Sequence, residues 1–310
     1  MTEVKDQFSC FGSTCAAFVI GDVPGRSARA AVAQARSFLL DWHERFTRFE
    51  ADSELSRLNS DARRVVPVSD AMARLAEAVV VAGRQTGGLV DGTLLREIEA
   101  AGYREDLGVS VPLALALELA PPRRPAGPSP REGWNQIAVD RAGRTITRPV
   151  GVALDSGGLA KGLAADLLAA ALGTHECFAI NAAGDVRVGG AGRVPRPVRV
   201  ASPFDGATLH TFALTEAGVA TTGIGRRSWQ GPDGAPAHHL LDPATGKPAF
   251  TGVVQATAIA PTALEAETRA KAAVLSGPDV AAAWLPDGGV LVFEDAGHRV
   301  VEPARAATRS

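Results

Sequence analysis

The stretch DSGGLAKGLAADLLAAALGTHECFAINAAGDVRVGG, residues 155–190, decides the fold. It opens on a Gly-rich turn. From Ala160 to Leu172 nearly every residue is Ala or Leu, which predicts a helix. FAINAAGDVRVGG then reads as a strand, a turn at Gly184-Asp185 and a second strand, and strands joined by so short a turn run antiparallel. Downstream, PRPVRVASP, ATLHTFALT, GVATTG and VVQATAIAP continue as strands. A helix from Leu264 to Leu275 follows, and GGVLVFED with GHRVVE closes the chain as a hairpin. Upstream, WNQIAVDRAGRTITRPVG predicts a hairpin turning at Ala142-Gly143. Strands and helices are mixed without a regular βαβ alternation. The expected class is therefore α+β with a largely antiparallel sheet core and flanking helices, and the length fits one large domain or a two-lobed one.

The first third of the chain reads as FGSTCAAFVIG (11–21), a strand, then a helix from about Ser27 to Arg45. FTRFEADSELSRLN (46–59) is a loop entering a short helix, with Asp52 or Ser53 as cap. Ser69 or Asp70 caps AMARLAEAVVVAGRQ, which stops at Gly87-Gly88, and Asp91–Ala101 is expected to be helical. Residues 121–132, PPRRPAGPSPRE, contain five prolines, which preclude a long helix or a central strand. They are expected to form a linker or loop between an N-terminal lobe (1–120) and a strand-rich part (133–310) of one domain.

Composition narrows the function. In 310 residues the formal net charge is −2, so no global basic field draws the chain to nucleic acid. No run approaches the ~18 apolar residues of a spanning helix, and no signal sequence is visible at the start, so no membrane insertion and a cytoplasmic location are expected. Cys10, Cys15 and Cys177 lack CxxC spacing and read as free thiols rather than a thiolate metal site. Only four of the 32 basic residues are lysines, Lys5, Lys161, Lys247 and Lys271; the rest are arginines. Under such a preference for Arg, a retained lysine draws notice.

Five constellations carry chemistry. Asp155-Ser156-Gly157-Gly158-Leu159-Ala160-Lys161-Gly162 places backbone N–H groups, a dipole end and an ammonium where an anion would sit. A cation in a first helical turn needs a compensating anion, and a tight turn with a solvated lysine is the plain alternative. Asn181 to Arg187 reads as a close-approach turn in which Asp185 accepts from a ribose or ribityl hydroxyl, or simply as a hairpin tip. Ala220 to Arg227 offers hydroxyls, glycines and two arginines for phosphate. On a strand, Arg226 and Arg227 would point opposite ways. His238 to Pro248 holds His239 and Asp242 close together, a base and a neighbouring carboxylate. Glu267 and Lys271 stand at i and i+4 on one helix face, which is also an ordinary helical ion pair.

Taken in order, these blocks resemble the ApbE family, the FAD:protein FMN transferases, over nearly the whole chain. The family's serine-rich motif ending in RLN is FTRFEADSELSRLN here, and its GG-x-x-D-P-T is Gly87-Gly88-Leu89-Val90-Asp91-Gly92-Thr93. D-L-G-G-I-A-K-G is Asp155 to Gly162 and N-x-G-G-D-I-R is Asn181 to Arg187. A-T-S-G-D-x-R-R is Ala220 to Arg227 and H-I-I-D-P-x-T-G-x-P is His239 to Pro248.

The resemblance implies that FAD is bound and, with Mg²⁺, that FMN passes to a Thr or Ser hydroxyl of a target flavoprotein with release of AMP. It implies His239 and Asp242 as catalytic residues. It implies flavin contacts from Asp91, Ser156, Gly157, Gly158, Ala160, Lys161, Asn181, Gly184, Asp185, Thr222, Arg226, His239 and Thr245. Glu267 and the Ala160 carbonyl would hold the metal.

The sequence departs from the family at the metal. Lys271 stands where the family's Thr ligand is expected, and an ammonium has no acceptor for Mg²⁺. Ile224 replaces an acidic residue. Two readings follow: a transferase in which Lys271 substitutes for the metal, or an FAD-binding or flavin-scavenging protein on the same fold. FAD pyrophosphatase activity is a third. Asp205-Gly206-Ala207-Thr208 lacks the hydroxyl before Gly-Ala found in flavinylated targets, so the chain is not expected to be its own acceptor.

Overall fold

The computed structural model describes residues 2–105 and 110–304. Eight strands form one sheet: β1 (Glu3–Cys10), β2 (Ser13–Ile20), β3 (Cys177–Ala182), β4 (Asp185–Gly189), β5 (Ala217–Gly223), β6 (Val253–Ala260), β7 (Gly289–Phe293) and β8 (His298–Val301). Their spatial order follows their order in the chain, and every neighbouring pair is antiparallel. Tight turns join β1 to β2, β3 to β4 and β7 to β8, while long excursions carrying the helices and smaller strands separate the other pairs. β6 is buried along all eight residues and forms the middle of the core.

The described residues form seven helices: α1 (Ala28–Phe46), α2 (Glu54–Ser60), α3 (Asp70–Gln85), α4 (Leu95–Ala100), α5 (Leu113–Glu118), α6 (Ala160–Leu172) and α7 (Ala263–Ser276), of which α1, α6 and α7 pack on the sheet. Ser27, Ser53 and Ser69 cap α1, α2 and α3 with their hydroxyls. α1 buries Ala31, Ala35, Leu39, Trp42 and Phe46 against β1 and β2. α6 and α7 lie side by side against the sheet. Gly162 makes their approach possible: a Cβ there would stand 2.7 Å from the Ala263 carbonyl oxygen. Among the described residues no helix is long and apolar enough to cross a membrane.

Three expectations are corrected. A strand not read from the sequence, β1, precedes the one that was. It turns into β2 through Phe11 (φ 56°) and Gly12 (φ 64°), the two left-handed residues that a type I′ hairpin requires. The helix expected over Asp91–Ala101 begins only at Leu95. The Asp91 carboxylate accepts from the Thr93 backbone N–H at 2.9 Å, a local bond that competes with helix. Arg226 and Arg227 lie beyond the end of β5, in an irregular loop, so the alternation of a strand does not separate them.

Residues 121–132 contain neither helix nor strand. They are nonetheless tied down: Arg124 N–H donates to the Phe250 carbonyl (3.0 Å) and Ala126 N–H to the Leu275 carbonyl (2.8 Å). The Pro-rich segment thus runs across the end of α7.

Candidate functional site

A cleft of about 530 Å³ opens where the Gly-rich turn, α7 and the loops after α1 and β5 converge. That size suits a dinucleotide-scale ligand. Ser156, Gly157, Gly158, Ala160 and Lys161 form one side, with Arg226, Arg227, His239 and Lys271 facing them. Ser156 Oγ donates to the Phe46 carbonyl at 2.7 Å and Gly157 N–H to Asp155 Oδ1 at 3.2 Å, which fixes the turn. A smaller cavity adjoins it, lined by Asp91 and shared with Gly158, His239 and Lys271.

The floor is a quartet of charges. Lys161 Nζ donates to Asp185 and lies 3.7 Å from Glu267 Oε1. Lys271 Nζ donates to the same Glu267 oxygen at 3.1 Å. Glu267 Oε2 accepts from the Gly162 backbone N–H at 3.0 Å. Asp185 is 1% exposed and Glu267 is fully buried, while both lysines line the cleft. The carboxylates therefore sit behind the ammoniums, and the charge presented to a ligand is positive. This also supplies the anion that Lys161, in the first turn of α6, requires. Burial opposes the charge of Lys161, but Asp185 and Glu267 outweigh it and raise its pKa. Burial also opposes ionisation of Glu267; Lys271, Lys161 and the Gly162 N–H hold its carboxyl below the usual range. Burial, with the charge of Glu267 added, raises Asp185 to about 6.

His239 is only partly exposed and its Nδ1 has no hydrogen-bond partner. Burial, together with the charges of Arg227, His238 and Lys271, lowers its pKa well below the ordinary value. The imidazole is thus neutral at pH 7 and lines the cleft, with its unpartnered Nδ1 itself buried. Burial raises Asp91, whose Oδ2 is buried without a partner.

The opposite wall is aromatic. The Arg48 guanidinium stands 4.5 Å from the ring centre of Phe49 and 4.4 Å from that of Tyr103, and the two rings themselves meet tilted at 5.7 Å, a cation–π cluster. Phe11, in its left-handed conformation, forms part of the lip, and Arg227 Nη2 donates to its carbonyl at 3.0 Å. These four residues were not read from the sequence as site residues. A flat ring system and a pyrophosphate both find complementary walls here, so the residues present fit FAD.

Several predicted residues are placed elsewhere. Asn181 and Gly184 form the β3–β4 turn, in which Asn181 Oδ1 accepts from Gly184 N–H at 2.8 Å; neither lines the cleft. Thr222 is buried on β5 and Thr245 donates to Asp242 Oδ2 at 2.8 Å, and neither lines a cavity. Asp242, read as a catalytic partner of His239, is corrected. Its Oδ1 accepts from Gly127 N–H at 2.9 Å and Ala244 N–H at 3.0 Å, so it anchors the 239–248 turn to the Pro-rich segment.

The residues present do not fit a divalent metal at the Glu267 position. Glu267 is engaged by two ammoniums and an amide, and Lys271 donates where a ligand must accept. Among the described residues no group of three or more His, Cys, Asp or Glu side chains is placed to hold a metal. A dication about 3 Å from that ammonium would meet a repulsion of about 10 kcal/mol at an effective dielectric near 20.

Comparison with known proteins follows the same lines. The model of the ApbE family matches residues 11–292. The FAD:protein FMN transferase of Salmonella typhimurium is 28% identical over 255 residues, 79% of this chain and 71% of that protein. Its counterpart in Treponema pallidum is 26% identical over 297 residues, 88% of this chain and 79% of that one. The solved ApbE protein of Thermotoga maritima superposes with a TM-score of 0.78 at 24% identity, covering 97% of both chains. The flavin transferase ApbE of Vibrio cholerae gives 0.73 at 19% identity, covering 98% of this chain and 97% of that one.

Proposed function

The chain belongs to the ApbE family, and on that premise we propose that it is an FAD:protein FMN transferase. Its substrates are FAD and a flavoprotein whose Thr or Ser accepts the FMN. The observation that carries this reading is the juxtaposition of a neutral His239 with the cationic floor of Lys161 and Lys271 in one cleft.

The chemistry follows from the geometry. The acceptor hydroxyl is a poor nucleophile at neutral pH and needs a base as it attacks the phosphorus of the FMN half. His239, held neutral by its surroundings, takes that proton. Charge builds on the departing AMP oxygen as the P–O bond breaks. Phosphoryl transfer is largely a matter of positioning and charge stabilisation, and Lys161, Lys271, Arg226 and Arg227 surround the cleft in which that charge appears. The cluster of Arg48, Phe49 and Tyr103 on the cleft wall supplies aromatic and guanidinium faces against which a ring of the dinucleotide can pack.

The test uses the full chain with FAD and an acceptor flavoprotein domain. The expected products are free AMP and an acceptor heavier by one FMN. Bound FAD without AMP and without an acceptor mass change would sink the transferase reading and favour a flavin-binding protein. AMP with free FMN and an unmodified acceptor would favour a pyrophosphatase.

A further inference from the structure

We infer that the Lys271 ammonium is the fixed cation of this site, so that the chain engages the pyrophosphate of a dinucleotide without a divalent metal. The inference rests on the transferase reading for its chemical step, though not for its binding step.

The electrostatics of the quartet support it. Two ammoniums face two carboxylates, Asp185 paired with Lys161 and Glu267 engaged through both oxygens, so the set is formally neutral without a metal. Glu267 hands no free lone pair toward the cleft: one oxygen serves Lys161 and Lys271, the other the Gly162 N–H. Lys271 is held rather than floating. Its Cε lies 3.5 Å from where a Cβ on Gly158 would be, so the glycine turn closes over its stem. Lys271 is also shared by the large cleft and the small cavity behind it, which places its charge at their junction. A buried ammonium already desolvated and oriented by a carboxylate interacts strongly with an incoming anion, because water need not be removed from it at the moment of binding.

The step balances without a metal. The acceptor oxygen forms a bond to the FMN phosphorus and the phosphorus–oxygen bond to AMP breaks. The hydroxyl proton goes to His239, and the electron pair leaves with AMP, whose charge Lys271 and Lys161 face.

The experiment measures FAD and riboflavin affinity by flavin fluorescence, and FMN transfer by acceptor mass, in EDTA and across a Mg²⁺ titration. The wild-type chain should bind FAD and transfer FMN in EDTA within about twofold of the rates with Mg²⁺. Lys271→Met should weaken FAD 10-fold or more and leave riboflavin, which has no phosphate, within about twofold. Removing one partner leaves Glu267 charged and buried, so the double variant Lys271→Met with Glu267→Gln is run beside it. It carries no unpaired charge at that pair and should show the same loss for FAD alone. Wild-type FAD binding or transfer that requires Mg²⁺ overturns the inference, and so does an equal loss of FAD and riboflavin affinity in the double variant. If no transfer occurs in any condition while the selective loss of FAD binding holds, the transferase reading fails and the role of Lys271 stands.

Discussion

His238 should make the fold acid-sensitive in a way that can be isolated. The residue is 1% exposed, its ring packs edge-on against Phe250 with centroids 4.7 Å apart, and its Nε2 has no partner. Burial, offset only slightly by the Ala249 backbone, lowers its pKa from 6.5 to about 3. The folded chain thus keeps this imidazole neutral while the unfolded chain protonates it below pH 6.5. Unfolding then takes up a proton, and stability falls as pH drops, by about 1.4 kcal/mol per unit between 6.5 and the folded value. At pH 5 the loss is about 1.5 units, or about 2 kcal/mol. For a chain of this length, with an unfolding entropy of about 0.65 kcal/mol/K, that is a midpoint shift of about 3 °C.

Other groups titrate in the same window, so the wild-type curve alone proves nothing. Asp185, raised to about 6 from 3.8, binds its proton more readily when folded and favours the folded state as pH falls through 6 to 4. The difference between the wild type and His238→Asn cancels such terms. The Asn oxygen keeps an acceptor for the Leu240 N–H, which donates to His238 Nδ1 at 3.3 Å. The variant should be less stable at pH 7.5, because the ring is lost, and the two urea-unfolding curves should converge by about 2 kcal/mol on going to pH 5. Tryptophan fluorescence at constant ionic strength provides the readout. Stability curves that stay parallel from pH 7.5 to 5 would refute a neutral, buried His238.

Four further outcomes test the site and the packing behind it. His239→Asn should cut single-turnover FMN transfer by about 10²- to 10⁴-fold at saturating FAD, with FAD affinity within a few-fold. Because the His239 pKa lies well below 6.5, the wild-type kcat/KM should show no acid-side break between pH 8 and 6; a break near 6.5 would mean that the base is an ordinary exposed histidine. Arg48→Ala removes the guanidinium packed on Phe49 and Tyr103 and should weaken flavin binding by about 1–2 kcal/mol, read by fluorescence titration. Gly162→Ala places a Cβ 2.7 Å from the Ala263 carbonyl, where only backbone can yield, and should cost about 1–3 kcal/mol in urea unfolding.

What the sequence made legible was whatever short-range chemistry controls. α6 runs from Ala160 to Leu172 as read, and the β3–β4 hairpin, read as turning at Gly184-Asp185, turns one residue earlier at Ala183-Gly184, because glycine and small apolar runs act locally. β1 was not read because it is an edge strand: only Phe8 and Cys10 of its eight residues are buried, so its alternation is mostly polar. The aromatic wall was not read because Arg48 and Phe49 meet Tyr103 only through the tertiary fold, and no spacing rule joins them. Asp242 was misread for the opposite reason. Its closeness to His239 in sequence suggested a shared site, but an Asp before Pro finds backbone amides within its own turn first. The i, i+4 pair shows the limit of both views. Spacing alone made Glu267 and Lys271 a helical ion pair of about 0.2–0.5 kcal/mol. Burial alters that meaning, because Glu267 is fully buried and, without Lys271, its charge would keep only the more distant Lys161 and the Gly162 N–H, a loss of a few kcal/mol (about 3–5 where a buried pair is broken outright). A pair that costly to break, facing a cleft, is held in place by the fold around it, and its charge belongs to the ligand-binding surface.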